Sequence, residues 1–513
     1  MRSRLTWGQI AVGGILAGIL VVPYLAAIQQ APPGGEFTGF LVNPLDGFSY
    51  LAKMRQGLAG NWLFRLPYAE APGEPALLFP YHLLLGNLAR ILVLPLIHVY
   101  HAARLAGAAA MVLAAWLLLG RLPLAAAGRA AALALTVLGS GWGWILVGAG
   151  MFSADLSMPE ALPWYSAYSN AHFSLALAAL LLGVAAFVQP PASQLARLGL
   201  GAACGLVLGA VAGYAALPAG AAMTVWLVAF RNHEDGSAVR ARLPVWLAWM
   251  VGAGAWLVYD YGLSRSHPVL SLWFAQNQTP SPAIPSYLAA YAPILILVAA
   301  GLWLRRKEIP PAIWFLVLWV AIIAVSLYSP FSLQRRFALG LFFPLAGLAG
   351  WGLEGMSWAR RRLLLSGAIA SGLPSIALVV GAGLAGVHSG QTGLVLDVGT
   401  MEAMQWLGEH APQDSVVLAG PETGNALPAF ANVRVLYGHP FETPRAELKR
   451  DLVVGLFQGE VELAAGLERT EGGRIDLVFY GQEERLLGSP MWLGDLPAVY
   501  ANGDVTIYQV PTP

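Results

Sequence analysis

The chain has 513 residues, 57% of them hydrophobic and only 11% charged, with a mean hydropathy of +0.62 and a formal net charge of +1. A soluble globule carries about 25% charged residues, so this composition excludes one and gives a polytopic α-helical membrane protein; no basic cluster interleaved with aromatics offers a face for nucleic acid. The single cysteine, Cys204, lies in an apolar run, which excludes an intramolecular disulfide and leaves the compartment unread.

Crossing a bilayer of about 30 Å takes about 20 apolar residues. Residues 1–28 carry Arg2 and Arg4 ahead of an apolar run without a small-residue cleavage site, which reads as an uncleaved first span. Spans are expected near 8–28, 101–120, 130–150, 171–188, 198–216, 218–230, 244–262, 285–304, 311–329, 337–355 and 363–387. Leu198 to Phe230 is one apolar run broken by Pro218, so it is either two short helices turning at Leu217-Pro218 or one long kinked helix. Charge chooses between them. With two helices, Arg2, Arg4, Arg121, Arg129, Arg197, Arg231, Arg240, Arg242, Arg305, Arg306, Lys307, Arg360, Arg361 and Arg362 fall on one side, which the positive-inside rule makes cytoplasmic. The expectation is about eleven transmembrane helices over residues 1–387, with the amino terminus inside. Ala76 to Leu94, interrupted by Tyr81, His82, Asn87 and Arg90, reads as a helix in the interface or against the bundle.

The long first outer loop, 29–100, holds Asp46, Lys53, Arg55, Trp62, Arg65, Tyr68, Glu70, Glu74 and His82. Asp46 follows Asn43-Pro44-Leu45 and precedes Phe48, Leu51, Met54 and Leu58 at helical spacing. It reads either as the cap of that helix or as a catalytic carboxylate held at the membrane surface. A second outer loop, 151–170, holds Asp155, Glu160, Trp164, Tyr165 and Asn170, and His172 opens the next span. Later loops supply Arg265, His267, Trp273, Gln276 and Asn277, then Gln334-Arg335-Arg336. Arginines in short outer loops run against the topology rule and need a separate reason. Trp164, Tyr165 and Trp273 are expected as interface-belt aromatics rather than a sugar-stacking platform.

From 388 to 513 the composition becomes that of a soluble, extracytoplasmic small α/β domain. Met401 to His410 and Arg445 to Phe457 read as helices, and Ser415 to Leu418, Val433 to Tyr437, Ile475 to Tyr480 and Val505 to Val510 as strands. Gly420-Pro421-Glu422-Thr423-Gly424 matches neither a dinucleotide fingerprint nor a P-loop and reads as an ordinary strand-to-helix turn. Tyr437 to Thr443 is dense in polar groups around His439, a histidine of structural type.

Asp46-Gly47-Phe48-Ser49-Tyr50 through Gly60-Asn61-Trp62-Leu63, the acids of the second outer loop, and Arg335-Arg336-Phe337 ahead of Phe343-Pro344 together resemble the GT-C superfamily, above all its RgtA/B/C/D-like bacterial members. The family often has two adjacent acids in its opening motif; here Gly47 stands in the second place. The resemblance implies an integral-membrane glycosyltransferase in a bacterial plasma membrane, taking a sugar from a polyprenyl-phosphate carrier to a glycan, lipid or protein acceptor on the outer face. It implies Asp46 as general base and Arg335 and Arg336 as the clamp on the lipid phosphate, because a carboxylate can accept the acceptor's proton and guanidiniums can grip two phosphate oxygens. Lys53, His82, Glu160 and His172 are candidate substrate-binding residues, and Asp155 with Glu160 a candidate pair for a divalent metal. The alternatives at this point are a transporter or flippase of a lipid-linked precursor, or a non-catalytic membrane scaffold. Few mid-span charges and no two-fold repeat speak against transport.

Overall fold

The computed structural model describes residues 7–230, 236–307, 309–470, 472 and 474–511, so Arg2, Arg4 and Arg231 of the charge pattern lie outside the described residues. Among these, nine helices are long and apolar enough to cross a membrane: Ala11–Gln30, Leu96–Leu119, Ala126–Val147, Ala171–Val188, Gln194–Ala229, Val239–Ser266, Ile284–Leu304, Gln334–Glu354 and Trp358–His388. Pro311–Ser326 is apolar but shorter.

The run Gln194–Ala229 is not one rod. A straight helix of 36 residues would be about 54 Å long, yet its two parts touch the same stretch of a neighbouring helix. Gly201 lies against Val245 and Gly205 against Trp249, ascending together. On the other part the order reverses: Gly220 meets Met250, and Trp246 Nε1 donates to Thr224 Oγ1 at 3.0 Å. The chain therefore folds back through the 3-10 turn Gly213–Ala215, earlier than the expected turn at Leu217-Pro218. Pro218 sits in the first turn of the second leg, where its missing N–H has no intrahelical partner to lose. The second leg and Pro311–Ser326, added to the nine, bring the apolar helical segments to eleven. The span expected at 130–150 is interrupted: Ala126–Leu138 ends at an extended Gly139, and Gly143–Val147 is a separate short helix.

The chain divides into two compact units. One comprises Met1–Pro23, His101–Tyr259 and Thr279–Ala382, the other Tyr24–Tyr100, Asp260–Gln278 and Gly383–Pro513. In the first unit, helices meet at small residues: Gly301 lies against Gly352, and Gly350 against the carbonyl of Gly128. Arg104, an arginine inside the span Leu96–Leu119 that the sequence reading passed over, is buried and fully engaged. It donates to the carbonyls of Leu20, Ala167 and Tyr168 at 2.9, 3.1 and 3.2 Å, and to His101 Nδ1. A charge with that many acceptors is tolerated where a bare one would not be.

The second unit is built on helix Pro44–Leu58. Gly57 and Gly86 let it approach helix Pro80–Leu92 so closely that a Cβ at either would collide with the other helix's backbone. Helix Pro421–Phe430 packs on it through Phe48 and Phe430, and Arg55 donates to the Ala429 carbonyl. Strand β1 (Gly35–Phe37) pairs antiparallel with β2 (Val395–Asp397), and Thr38 extends the pairing to Leu394. A five-stranded sheet follows, of β3 (Val416–Leu418), β4 (Arg434–Val435), β5 (Leu477–Tyr480), β6 (Ala498–Ala501) and β7 (Thr506–Gln509), in the order β4-β3-β5-β7-β6. β3 runs parallel to both β4 and β5, and its Val-Val-Leu run is buried throughout, as a strand covered on both faces requires. Strand β6 was not foreseen.

Candidate active site

Helix Pro44–Leu58 begins at Asn43, which takes the left-handed conformation that asparagine tolerates (φ 48°) and is itself the cap. Its Oδ1 accepts from the Asp46 amide at 3.5 Å, and its Nδ2 donates to Asp46 Oδ2 at 2.5 Å. The capping role thus falls to Asn43, and the Asp46 carboxylate is left for other partners. Its Oδ1 lies 3.2 Å from His439 Nε2, and the aspartate side chain is 36% exposed against 2% for the histidine. The place of the family's second acid cannot hold one here. A Cβ on Gly47 would stand 2.5 Å from the buried Phe40 ring.

Two turns further along the same helix lies a second ionic contact. Lys53 is buried, and its ammonium donates to Glu442 Oε1 at 2.8 Å and to Ser49 Oγ at 2.5 Å. Ser49 also donates to Glu442 Oε1, at 2.7 Å, and the Phe79 ring centre is 4.3 Å from the Lys53 ammonium. Burial alone would raise the Glu442 carboxyl, but the charge of Lys53 and the bonds from Lys53 and Ser49 bring it below the ordinary glutamate value. Lys53 is committed to this pair. His82 is buried and stacks on Tyr50 with centroids 5.0 Å apart, with Phe79 and Tyr81 edge-on. Tyr68 donates to the Asn425 carbonyl at 3.2 Å. Burial, then the Glu442 and Asp46 carboxylates, push its phenol well above the ordinary tyrosine value.

In the first unit, Arg335 and Arg336 lie in the 3-10 turn Gln334–Ala338. Backbone and amide bonds hold that turn: Arg335 N donates to Thr279 O at 3.0 Å, Ser281 N to Gln334 Oε1 at 3.1 Å, and Gln334 Nε2 to Ser329 O at 2.8 Å. Arg335 Nε is 4.0 Å from Glu160 Oε1, with Arg335 38% exposed and Glu160 4%. The Arg336 guanidinium lies 5.7 Å from the Tyr214 ring centre. Glu160 is thus the carboxylate beside Arg335, while Arg336 lies against Tyr214.

Asp155 is fully buried and its oxygens are taken, Oδ1 by the Ser153 hydroxyl and Oδ2 by the Gly143 amide at 3.1 Å. That is the bonding of a loop brace. Among the described residues no group of three or more His, Cys, Asp or Glu is arranged to hold a metal ion. His172 opens helix Ala171–Val188 with its ring against Phe173, centroids 4.3 Å apart. Trp164, Tyr165 and Trp273 are all buried, the first two stacked on each other and the third in a cluster with Phe64, Leu66 and Leu270. They are core aromatics, not the interface belt expected of them.

The turn after β3 also has a definite role. Glu483 accepts from the amides of Glu422 and Thr423 at 2.9 and 2.7 Å, and Glu484 from those of Gly420 and Gly481 at 2.7 and 2.8 Å. The amides that would cradle a phosphate at this helix start already hold carboxylates. Burial and the charge of Glu483 push Glu484 up to about 7 and raise Glu422 as well. A cavity of about 610 Å³ in this unit is lined by Glu422 and Glu483, by Leu45 and Phe48 flanking Asp46, and by Gly438 and Pro440 flanking His439.

No family model and no curated protein matches this chain. Solved structures do. ArnT from Cupriavidus metallidurans bound to undecaprenyl phosphate is similar with a TM-score of 0.53 at 15% identity, over 98% of this chain and 98% of that one. The fold is that of the GT-C glycosyltransferases. The oligosaccharyltransferase of Archaeoglobus fulgidus, in complex with Zn and sulfate, shares the GT-C fold with a TM-score of 0.53 at 12% identity, over 92% of this chain and 67% of that one. The arabinofuranosyltransferase AftD from Mycobacteria gives 0.53 at 15% identity; this chain is covered in full but spans only 40% of AftD.

Proposed function

We propose that this multi-pass membrane protein is a glycosyltransferase that moves a sugar from a polyprenyl-phosphate carrier to an acceptor hydroxyl. The observation that carries the reading is the likeness over 98% of both chains to a structure holding undecaprenyl phosphate. Asp46 is the base. The acceptor oxygen attacks the anomeric carbon, its proton passes to the Asp46 carboxylate, the bond from that carbon to the phosphate oxygen breaks, and polyprenyl phosphate leaves. A carboxylate held by Asn43 and His439 yet 36% exposed suits that task. Arg335 and Arg336 stabilise the charge that collects on the departing phosphate. The asymmetry of Arg and Lys between loops supports an amino terminus in the cytoplasm, an extracytoplasmic carboxyl-terminal domain and a bacterial plasma membrane as the site of action.

The test is Asp46→Asn in membranes supplied with radiolabelled undecaprenyl-phosphate sugars. Transfer is expected to fall by about 10²–10⁴-fold with the thermal unfolding profile unchanged. Undiminished transfer would remove Asp46 from the mechanism.

A further inference from the structure

We propose that His439 is a positioning residue for Asp46, fixed by its own turn in the tautomer that donates from Nε2 and so unable to serve as the base itself. The inference rests on the reading of Asp46 given above and adds a part to it.

The ring's other nitrogen decides the tautomer. Nδ1 accepts from two backbone amides, Phe441 N and Glu442 N, each at 3.2 Å. A proton on Nδ1, in the other neutral tautomer or in the imidazolium, would point at two amide hydrogens. The neutral ring therefore carries its proton on Nε2, and that N–H faces Asp46 Oδ1 at 3.2 Å. With Asn43 Nδ2 on Oδ2, both carboxylate oxygens have a donor that fixes the plane of the group.

The turn is built to hold this pose. Thr443 Oγ1 accepts from Gly438 N at 3.3 Å and from His439 N at 3.1 Å, and Gln276 Nε2 donates to the carbonyls of Phe441 and Thr443. Glu442 reaches the same helix that carries Asp46, through Ser49 and Lys53. Asp46, Ser49 and Lys53 stand at i, i+3 and i+7, one face of that helix. Tyr437 to Thr443 thus grips that face at three points. The groups near the Asp46–His439 pair include Asn43 on the helix, Glu442 on the turn, which Lys53 neutralises, and Tyr68, whose ring centre is 5.8 Å from that of His439. Tyr68 stays protonated and spends its proton on Asn425, so it does not compete for Asp46.

The experiment has two arms on the full chain in detergent. In the first, protein labelled with ¹⁵N-histidine is compared with His439→Gln to assign the resonance. In the neutral ring Nδ1 is expected bare and Nε2 protonated, and the Nε2 signal is expected to shift in Asp46→Asn. An Nδ1–H tautomer of the neutral ring overturns the proposal, whatever the activity does. In the second arm, transfer from the radiolabelled undecaprenyl-phosphate sugar is measured against pH. His439→Ala is expected to lower kcat about tenfold with KM unchanged, and to move the acid limb of the profile up by about one pH unit, because a donor to the carboxylate is lost. Glutamine, which keeps an N–H near the Nε2 position, is expected to restore the limb. A fall in kcat with an unmoved limb and no rescue by Gln makes His439 merely structural and overturns the proposal. Should Asp46→Asn keep full transfer, the base reading falls, while the tautomer arm still decides whether the ring holds the carboxylate.

Discussion

The surroundings of Asp46 in the second unit and of Arg335 in the first are organised by opposite means. Around Asp46 the charged and polar side chains bond to each other at 2.5 to 3.2 Å, and Lys53, Glu442 and His439 are almost wholly buried. Around Arg335 the bonds are made by backbone and by Gln334, and the nearest carboxylate oxygen is 4.0 Å from Nε on a side chain 38% exposed. On the proposed reading, a carboxylate that takes one proton gains from being fixed in advance, since every misaligned conformer is a lost attack. On the same reading, a guanidinium that meets a lipid phosphate gains from an anchor in the main chain.

The comparison is tested hardest at the arginines. Replacing Arg335 and Arg336 together by Gln is expected to lower transfer by about 10²–10³-fold, the scale of a lost donor to developing charge. Lysine at both is expected to recover only part of it, since an ammonium cannot grip two oxygens in a fork. Protein stability should be little changed, because the turn is tied by its backbone; a large loss of thermal stability would show that the guanidiniums hold the fold as the acids of the other unit do. The next effect is on folding. Glu442→Gln leaves the Lys53 ammonium buried without a counter-charge and is expected to destabilise by about 3–5 kcal/mol. Adding Lys53→Met to that chain should recover most of the loss, measured by thermal unfolding in detergent. If Glu442→Gln unfolds like the parent, the ionic face of helix Pro44–Leu58 is looser than its distances say.

The contrast also marks what a sequence discloses. The spans were legible, because apolar length is a local property, and charge placement chose the fold-back between Leu198 and Phe230 that Gly205, Gly220 and Trp249 now make visible. The helix behind Asp46 was legible for the same reason. His439 was not. Its bond to Asp46 joins positions 393 apart in the chain, and nothing local distinguishes a histidine that orients a carboxylate from one that braces a turn. The partner of Lys53 was not legible, because an amphipathic helix presents a lysine equally well to solvent, to a substrate or to Glu442. Trp164, Tyr165 and Trp273 misled because tryptophan and tyrosine near a span end carry the same signal whether they face lipid or pack inward. Gly47 shows the reverse case, an absence that had a cause: the Phe40 ring occupies the space a second acid would need.

The smallest expected effect separates two glutamates of the second unit by pH. Glu442 lies below its ordinary value when folded, so the stability it contributes is complete above about 4.5 and is lost only as pH falls further. Glu484 is the opposite case. Burial and Glu483 raise it to about 7, so its contribution is complete below the ordinary glutamate value and is lost as pH rises through the folded one. Glu422, raised by the same two causes, acts in the same direction. Between about pH 4.5 and about pH 7 the unfolding temperature is therefore expected to decline by about 2–5 °C. Glu484→Gln should flatten that decline while leaving the loss below pH 4.5 to Glu442. A Gln side chain keeps one oxygen for the Gly420 amide but turns an N–H toward Gly481, so the variant should start lower and change less with pH. A slope that persists in Glu484→Gln would assign the titration to Glu422 and leave Glu484 ionised in place by the two amides that hold it.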